Sequence, residues 1–103
     1  MFNDLKTVLD DKGGSVRAYD AAARTARGRL AGEPDKAAAL LLIAYAAQRF
    51  VDAYDDQPLT QDAAGEERAQ FEWIVDTLEA AFASGSAGEQ VAALNAVAAR
   101  IAG

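Results

Sequence analysis

The longest apolar run in the chain is Ala37–Ala47, which contains no Gly, Pro or Asn. Acidic residues and Pro34 precede it, as is common in the first turn of a helix, where backbone N–H groups lack partners. Pro58, which follows two aspartates, ends the pattern. The run is about half of the roughly 20 apolar residues that a transmembrane helix needs, and charges flank it. It therefore predicts a buried central helix over about residues 34–56.

Apolar residues at helical spacing predict four further helices, over about residues 2–11, 15–31, 60–84 and 87–102. Ser15 and Thr60 are placed to cap the second and fourth helices at their N-termini. Ser86 and Glu89 match a capping box at the start of the fifth helix. Gly32 is placed for a left-handed turn at the end of the second.

The connections between these helices are too short to cross over a bundle. We therefore expect an all-α fold, an up-and-down antiparallel four-helix bundle of the second to fifth helices with the short N-terminal helix packed against it. The length of 103 residues suits one domain, residues 1–103, with one core. The predicted core contains Leu40, Ile43, Ala47, Phe50, Phe71, Ile74, Leu78, Leu94 and Ile101, and the predicted stripe of the fifth helix is Val91, Leu94, Ala98 and Ile101.

The composition excludes several kinds of catalytic and metal site, because the chain has neither cysteine nor histidine. Without them there is no disulfide, no thiolate metal site and no Ser-His or Cys-His nucleophile. We therefore assign no catalytic residue, no cofactor and no metal ligand. The N-terminal sequence has no basic region followed by a long apolar one, so we expect no secretory signal and a cytoplasmic protein.

The charges are unevenly distributed along a chain whose net charge is −6. From Asp52 to Glu79, nine acidic residues accompany a single basic one, Arg68. If the third and fourth helices form a hairpin that turns near residue 58, six of these acids gather at its turn. We call this set the acidic tip: Asp52, Asp55, Asp56, Asp62, Glu66 and Glu67.

A solvated helix end is the simplest interpretation of the acidic tip. The alternatives are a docking surface for a basic partner or a site for a divalent cation. Paired carboxylates on facing helices can hold magnesium, which makes Asp52 and Asp76 worth comparing. However, a rise of about 1.5 Å per residue places these two roughly 18 Å apart along the hairpin, so they cannot share one ion.

The second helix is basic, and its four arginines are Arg17, Arg24, Arg27 and Arg29. Cations near a helix C-terminus are favoured by the helix dipole, and the acids at positions 33 and 35 follow closely. Binding to a nucleic-acid backbone is the functional alternative. The acidic net charge and the lack of interleaved aromatic residues argue against it.

Large apolar residues remain on the back of the third helix, opposite its predicted core face. These are Leu41, Leu42 and Tyr45. In a hairpin that turns near residue 58, residues equally far from the turn lie side by side, which places Trp73 of the fourth helix at the same level. An apolar patch of this kind on a small protein is seldom left to water. We expect the N-terminal helix to cover part of it and a partner to cover the rest, most simply an identical subunit related by a two-fold axis.

The sequence thus indicates a small, non-catalytic protein–protein interaction or regulatory bundle that associates with a protein partner, possibly itself as a homodimer. One alternative is a divalent-cation-dependent enzyme or binder that uses the acidic tip. A second is an Arg-mediated nucleic-acid-binding regulator. No membrane partner is expected.

Overall fold

The structure, a computed structural model, describes residues 1–11 and 13–102. The described residues contain no strand, which confirms the predicted all-α class. No helix among them is long and apolar enough to cross a membrane. The five helices are α1 (Asn3–Asp11), α2 (Val16–Gly28), α3 (Ala37–Tyr54), α4 (Gln61–Ser84) and α5 (Ala87–Ala102), and a short 3-10 turn, Pro34–Lys36, leads into α3.

Local side-chain chemistry begins α4 and α5 where the sequence predicts. The Thr60 hydroxyl accepts a hydrogen bond of 3.1 Å from the N–H of Ala63, at the start of α4. At the start of α5 the N–H of Glu89 donates to Ser86 Oγ at 3.3 Å, and the N–H of Ser86 donates to Glu89 Oε1 at 3.2 Å. The capping box is therefore confirmed. Gly85 precedes it because a Cβ there would lie 2.5 Å from the Ala81 carbonyl oxygen.

The end of α2 differs from the prediction. This helix ends at Gly28, and among the described residues the glycines with a left-handed backbone are Gly13 and Gly14, with φ of 76° and 67°, rather than Gly32. The N–H of Arg29 donates to the Ala26 carbonyl, three residues back, at 3.2 Å. Bonds of this 3-10 type tighten the last turn and satisfy its carbonyls, so no left-handed cap is needed.

The core draws on all five helices. Leu5 and Leu9 of α1 are fully buried, as is Phe2 just before the helix, so this short segment contributes three large side chains to the core. It packs against α2 and α4. An aromatic cluster joins three helices: the Tyr19 ring stacks on Phe50 with a centroid distance of 3.8 Å and meets Phe71 edge-on at 5.5 Å.

Burial confirms the predicted core of α3 and α4 and corrects that of α5. Leu94 is only partly buried, Val91 is 55% exposed, and Ala98 is exposed. The residues of α5 that are buried are Ala93, Val97 and Ile101. Within the predicted stripe of α5, the burial of Ile101 is confirmed and that of the other three residues was wrong, because a helix with alanine on several sides carries little periodic signal.

Polar contacts fix the direction of α1 relative to α4. The Phe2 N–H donates to Glu79 Oε1 at 2.7 Å, and the Lys6 ammonium lies 2.6 Å from Asp76 Oδ1. A third contact, of 2.6 Å, joins Arg68 to Asp10. Position numbers rise along α1 as they fall along α4, so these two helices run antiparallel.

Leu78→Ala should lower the free energy of unfolding by about 2–5 kcal/mol, because this side chain is fully buried. Chemical denaturation monitored by circular dichroism measures the change. Val91→Ala is the matched control, since it truncates an exposed apolar side chain and should change stability by less than about 0.5 kcal/mol. Equal midpoints for Leu78→Ala and the parent would contradict the register of α4.

Acid should loosen the contact between α1 and α4. Burial raises the pKa of Glu79, but the Phe2 N–H and the N-terminal ammonium lower it more, so the pKa lies below its ordinary value of 4.5. A depressed carboxyl pKa adds stability above the unfolded-state pKa, and this contribution is lost as the pH falls through the folded-state pKa. The midpoint temperature of unfolding should therefore decrease as the pH is lowered below about 4.5. The decrease should be smaller in Glu79→Gln.

Glu66→Gln is the matched control for this titration, because it neutralises an exposed carboxyl elsewhere on α4. Its midpoint should follow the parent profile across the acidic range. Identical acid profiles for Glu79→Gln and the parent would show that the Phe2–Glu79 contact contributes nothing to stability.

Candidate interaction surface

An apolar groove of about 400 Å³ lies between α3 and α5. Leu41 and Tyr45 stand on its α3 side, and each is 56% exposed. Exposed large apolar side chains on adjacent turns form the kind of patch that marks an interaction site. The residues that line the groove are Leu41, Leu42, Tyr45, Ala98, Ile101 and Ala102.

The groove follows from the apolar character of both helices. On α3 the positions of Leu40, Ile43 and Ala47 face the core, so the large apolar residues between them point away from it. On α5 the neighbouring residues Ala98 and Ala102 are small. Small side chains beside large ones leave a depression, which is the physical origin of the groove.

A second cleft, of about 250 Å³, adjoins the groove and shares Ile101 with it. Arg49 of α3 and Arg100 of α5 line this cleft together with Glu67. Arg49 donates a hydrogen bond to the Ile101 carbonyl, and Arg100 Nε donates to Gln70 Oε1 at 3.0 Å. Arg49 is thus bonded to a residue that also lines the groove, whereas Arg100 turns towards α4.

Trp73 lies away from the groove. The Arg100 guanidinium carbon is 4.5 Å from the centroid of its ring, a cation–π contact, and the indole is partly buried. This arrangement differs from the expectation that the N-terminal helix covers the patch. In the structure Arg100 of α5 lies over Trp73 and α5 forms one side of the groove, while α1 packs against α2 and α4.

The acidic tip lies on both sides of the turn between α3 and α4. Asp55 caps the end of α3, and Asp56 follows with a left-handed φ of 58°. Asp52 accepts a hydrogen bond from Gln48, and Glu67 is partly buried in the cleft beside the arginines. Asp62 and Glu66 are exposed on the first turns of α4. Within residues 1–11 and 13–102, no three carboxylates are arranged to hold a metal ion.

The four arginines of the basic helix are dispersed among different partners. Arg24 pairs with Asp20, and Arg27 donates to Gln48 Oε1 at 3.1 Å. Arg17 is exposed and lines a shallow depression with Arg24. Just past the end of α2, Arg29 contacts Glu33 at 2.6 Å and Asp4 at 3.0 Å.

Arg29 also donates to the Met1 carbonyl at 2.6 Å, so it joins α1 to the segment that precedes α3. This hydrogen-bonded guanidinium lowers the pKa of Glu33. The position of Arg29 near Glu33 agrees with the sequence-based interpretation of its environment. The Arg29 side chain therefore stabilises the contact between α1 and the segment that precedes α3.

Sequence reasoning did not select Arg49, Arg100, Ala98 or Ala102 as part of a surface. One signal could have indicated them. From Ala87 to Ala102, α5 carries only two charged residues, Glu89 and Arg100, and alanine is its commonest residue. A helix without a charged face is typical of one that is covered on more than one side.

Comparison with models of protein families, with curated proteins and with solved structures found no match for this chain.

Arg100→Ala should uncover Trp73 and shift its fluorescence emission to the red, because the guanidinium that covers the ring is removed. The accompanying loss of stability should be about 0.5–1 kcal/mol, as for a partly exposed cation–π contact. Arg17→Ala, an exposed arginine on α2, should leave the emission unchanged. The chain has a single tryptophan, so the signal reports this position alone. Unchanged emission in Arg100→Ala would refute the contact.

Proposed function

We propose that the protein is a small, non-catalytic interaction module that associates with itself, in a cytoplasmic setting, through the groove between α3 and α5. In this proposal α2–α5 form an up-and-down antiparallel four-helix bundle, with α1 packed against it. One observation carries the proposal: Leu41 and Tyr45, each 56% exposed, stand together on an apolar groove of about 400 Å³.

The groove has the chemistry of an interface centre. Its lining is aliphatic and aromatic, and tyrosine is enriched at interfaces because one side chain buries a large area with a polar end. Arg49 adds a charged group to the rim, because it is bonded to the carbonyl of Ile101, which lines the groove. An apolar centre with a polar rim is the usual arrangement of residues in a protein–protein interface.

The two alternatives have weaker support in the geometry. A cation-dependent enzyme or binder needs carboxylates within reach of one ion, and the described members of the acidic tip are not so arranged. A nucleic-acid regulator needs a coherent basic surface, whereas Arg24, Arg27 and Arg29 bond to neighbouring side chains. Self-association is the proposal that uses the exposed apolar side chains of Leu41 and Tyr45.

Tyr45→Glu and Leu41→Glu should each convert the protein to a monomer, because a charge would enter the apolar centre of the interface without a partner. Sedimentation velocity across a dilution series measures the change. The parent should also melt at a higher temperature as its concentration rises, since association stabilises the native state by mass action.

Thr25→Glu adds the same charge to an exposed position on α2 and should sediment like the parent. A parent chain that stays monomeric at every concentration would overturn the proposed function. If Tyr45→Glu associates as strongly as the parent, the groove is not the surface through which the protein self-associates.

A further inference from the structure

We propose that two copies of this chain pack α3 against α3 in antiparallel directions across a two-fold axis near the level of Ile43, so that Arg49 of each copy pairs with Asp35 of the other. This inference rests on the self-association proposed above. It adds the register of the two helices, their relative direction and the residues that determine both.

The position of the axis follows from the two exposed residues at the centre of the patch. Leu41 and Tyr45 are one turn apart on the same side of α3, so the midpoint between them is at the level of Ile43. With a two-fold axis at that level, Leu41 of one copy lies opposite Tyr45 of the other, and the reverse contact is identical. Each copy thus presents a large apolar residue to each large apolar residue of its partner.

The volume of the groove suits this arrangement. In the antiparallel register the phenol of Tyr45 from the second copy lies over Leu41 and can enter the groove beside Ala98 and Ala102. A groove of about 400 Å³ has room for an aromatic ring and part of an aliphatic side chain. The phenol hydroxyl would remain at the rim, where it can reach water.

The charges at the two ends of α3 then become complementary. Arg49 is six residues beyond the level of Ile43, and Asp35 is eight residues before it. When one helix is reversed, these two positions come within two residues of the same level, or about 3 Å. An arginine side chain easily spans that difference, so both ion pairs can form.

The angular positions of the two residues agree with their levels. Arg49 follows Tyr45 by four residues, which places it about 40° further round the helix, away from Leu41. Ala38 lies on that same side of α3, and Asp35 precedes it by three residues through the 3-10 turn, where positions three apart nearly align. Under a two-fold axis normal to both helices, residues on the same side of the two copies meet.

Both groups are available for such a contact. The Asp35 side chain is 77% exposed, and its nearest cation is the adjacent Lys36 at 3.7 Å. Arg49 is exposed and donates one hydrogen bond to the Ile101 carbonyl. A guanidinium has five N–H donors, so most of its capacity is left for a carboxylate.

Charge also selects the antiparallel arrangement over the parallel one. If the two-fold axis ran along α3, each residue would face its own counterpart, and Arg49 would meet Arg49 while Asp35 met Asp35. Like charges in direct opposition are destabilising. With a net charge of −6 on each copy, reciprocal Arg–Asp pairs offset part of the general repulsion between subunits.

The test is a charge-reversal exchange measured by sedimentation. Arg49→Asp and Asp35→Arg should each raise the dissociation constant of the dimer by at least about tenfold, because two attractive pairs become repulsive in each dimer. The double variant should associate like the parent. An equimolar mixture of the two single variants should form a heterodimer, since each unlike pair again joins an arginine and an aspartate.

Charge reversals on other surfaces provide the control. Arg17→Asp on α2 and Asp62→Arg on α4 both alter exposed residues and should neither weaken the parent dimer nor prefer each other in a mixture. Circular dichroism establishes that each variant is folded, which matters most for Arg49→Asp because of its bond to the Ile101 carbonyl.

A second measurement reports the register without reversing any charge. The chain contains no cysteine, so single cysteines can be introduced by Arg49→Cys and Asp35→Cys. A short thiol cross-linker should join the two variants to each other when they are mixed, and join neither efficiently to itself. Efficient cross-linking of each variant to itself would overturn the antiparallel arrangement.

The outcomes separate this inference from the proposed function. If Tyr45→Glu abolishes the dimer but the charge-reversed variants neither rescue each other nor exchange partners, self-association through the groove stands and this register is overturned. If the parent does not associate, both are overturned. Rescue in the double variant together with heterodimer formation establishes the Arg49–Asp35 contact.

Discussion

The close approach of α2 and α3 is the constraint on which the other helices depend. These two helices share the most extensive packing in the molecule, and the residues that they bury are mostly alanine. Alanine surfaces let two helix axes come near each other but fill little volume. Larger side chains lie at one level, where the Tyr19 and Phe50 rings contact Phe71 of α4. These rings supply apolar area against which α4 packs.

Small side chains also explain the groove between α3 and α5. Because α5 is also rich in alanine, it covers the back of α3 incompletely and leaves Leu41 and Tyr45 beside a groove. Packing against larger residues of α5 would have closed that depression. The candidate interface is therefore a consequence of the sequence that lets the helices pack closely elsewhere.

Charged residues mainly hold the elements together at their ends. Arg29 binds Glu33, Asp4 and the Met1 carbonyl, and Glu79 accepts from the Phe2 N–H. These contacts position α1 over α2 and α4, where its Leu5 and Leu9 and the preceding Phe2 are buried. The sequence suggests a separate basic surface on the second helix, but part of its charge is used in these structural contacts. Arg49 and Asp35, by contrast, stay exposed towards opposite ends of α3.

The sequence by itself determined the all-α class, the number of helices, most of their bounds and the core faces of α3 and α4. These depend on local capping and on strong periodicity, as at Thr60, Ser86 and the Phe71–Leu78 stripe. Only the tertiary structure decided which side of α5 is buried and what lies beside Trp73. An alanine-rich helix gains nearly the same burial on several sides, so its orientation is set by the shapes of its neighbours rather than by its own pattern.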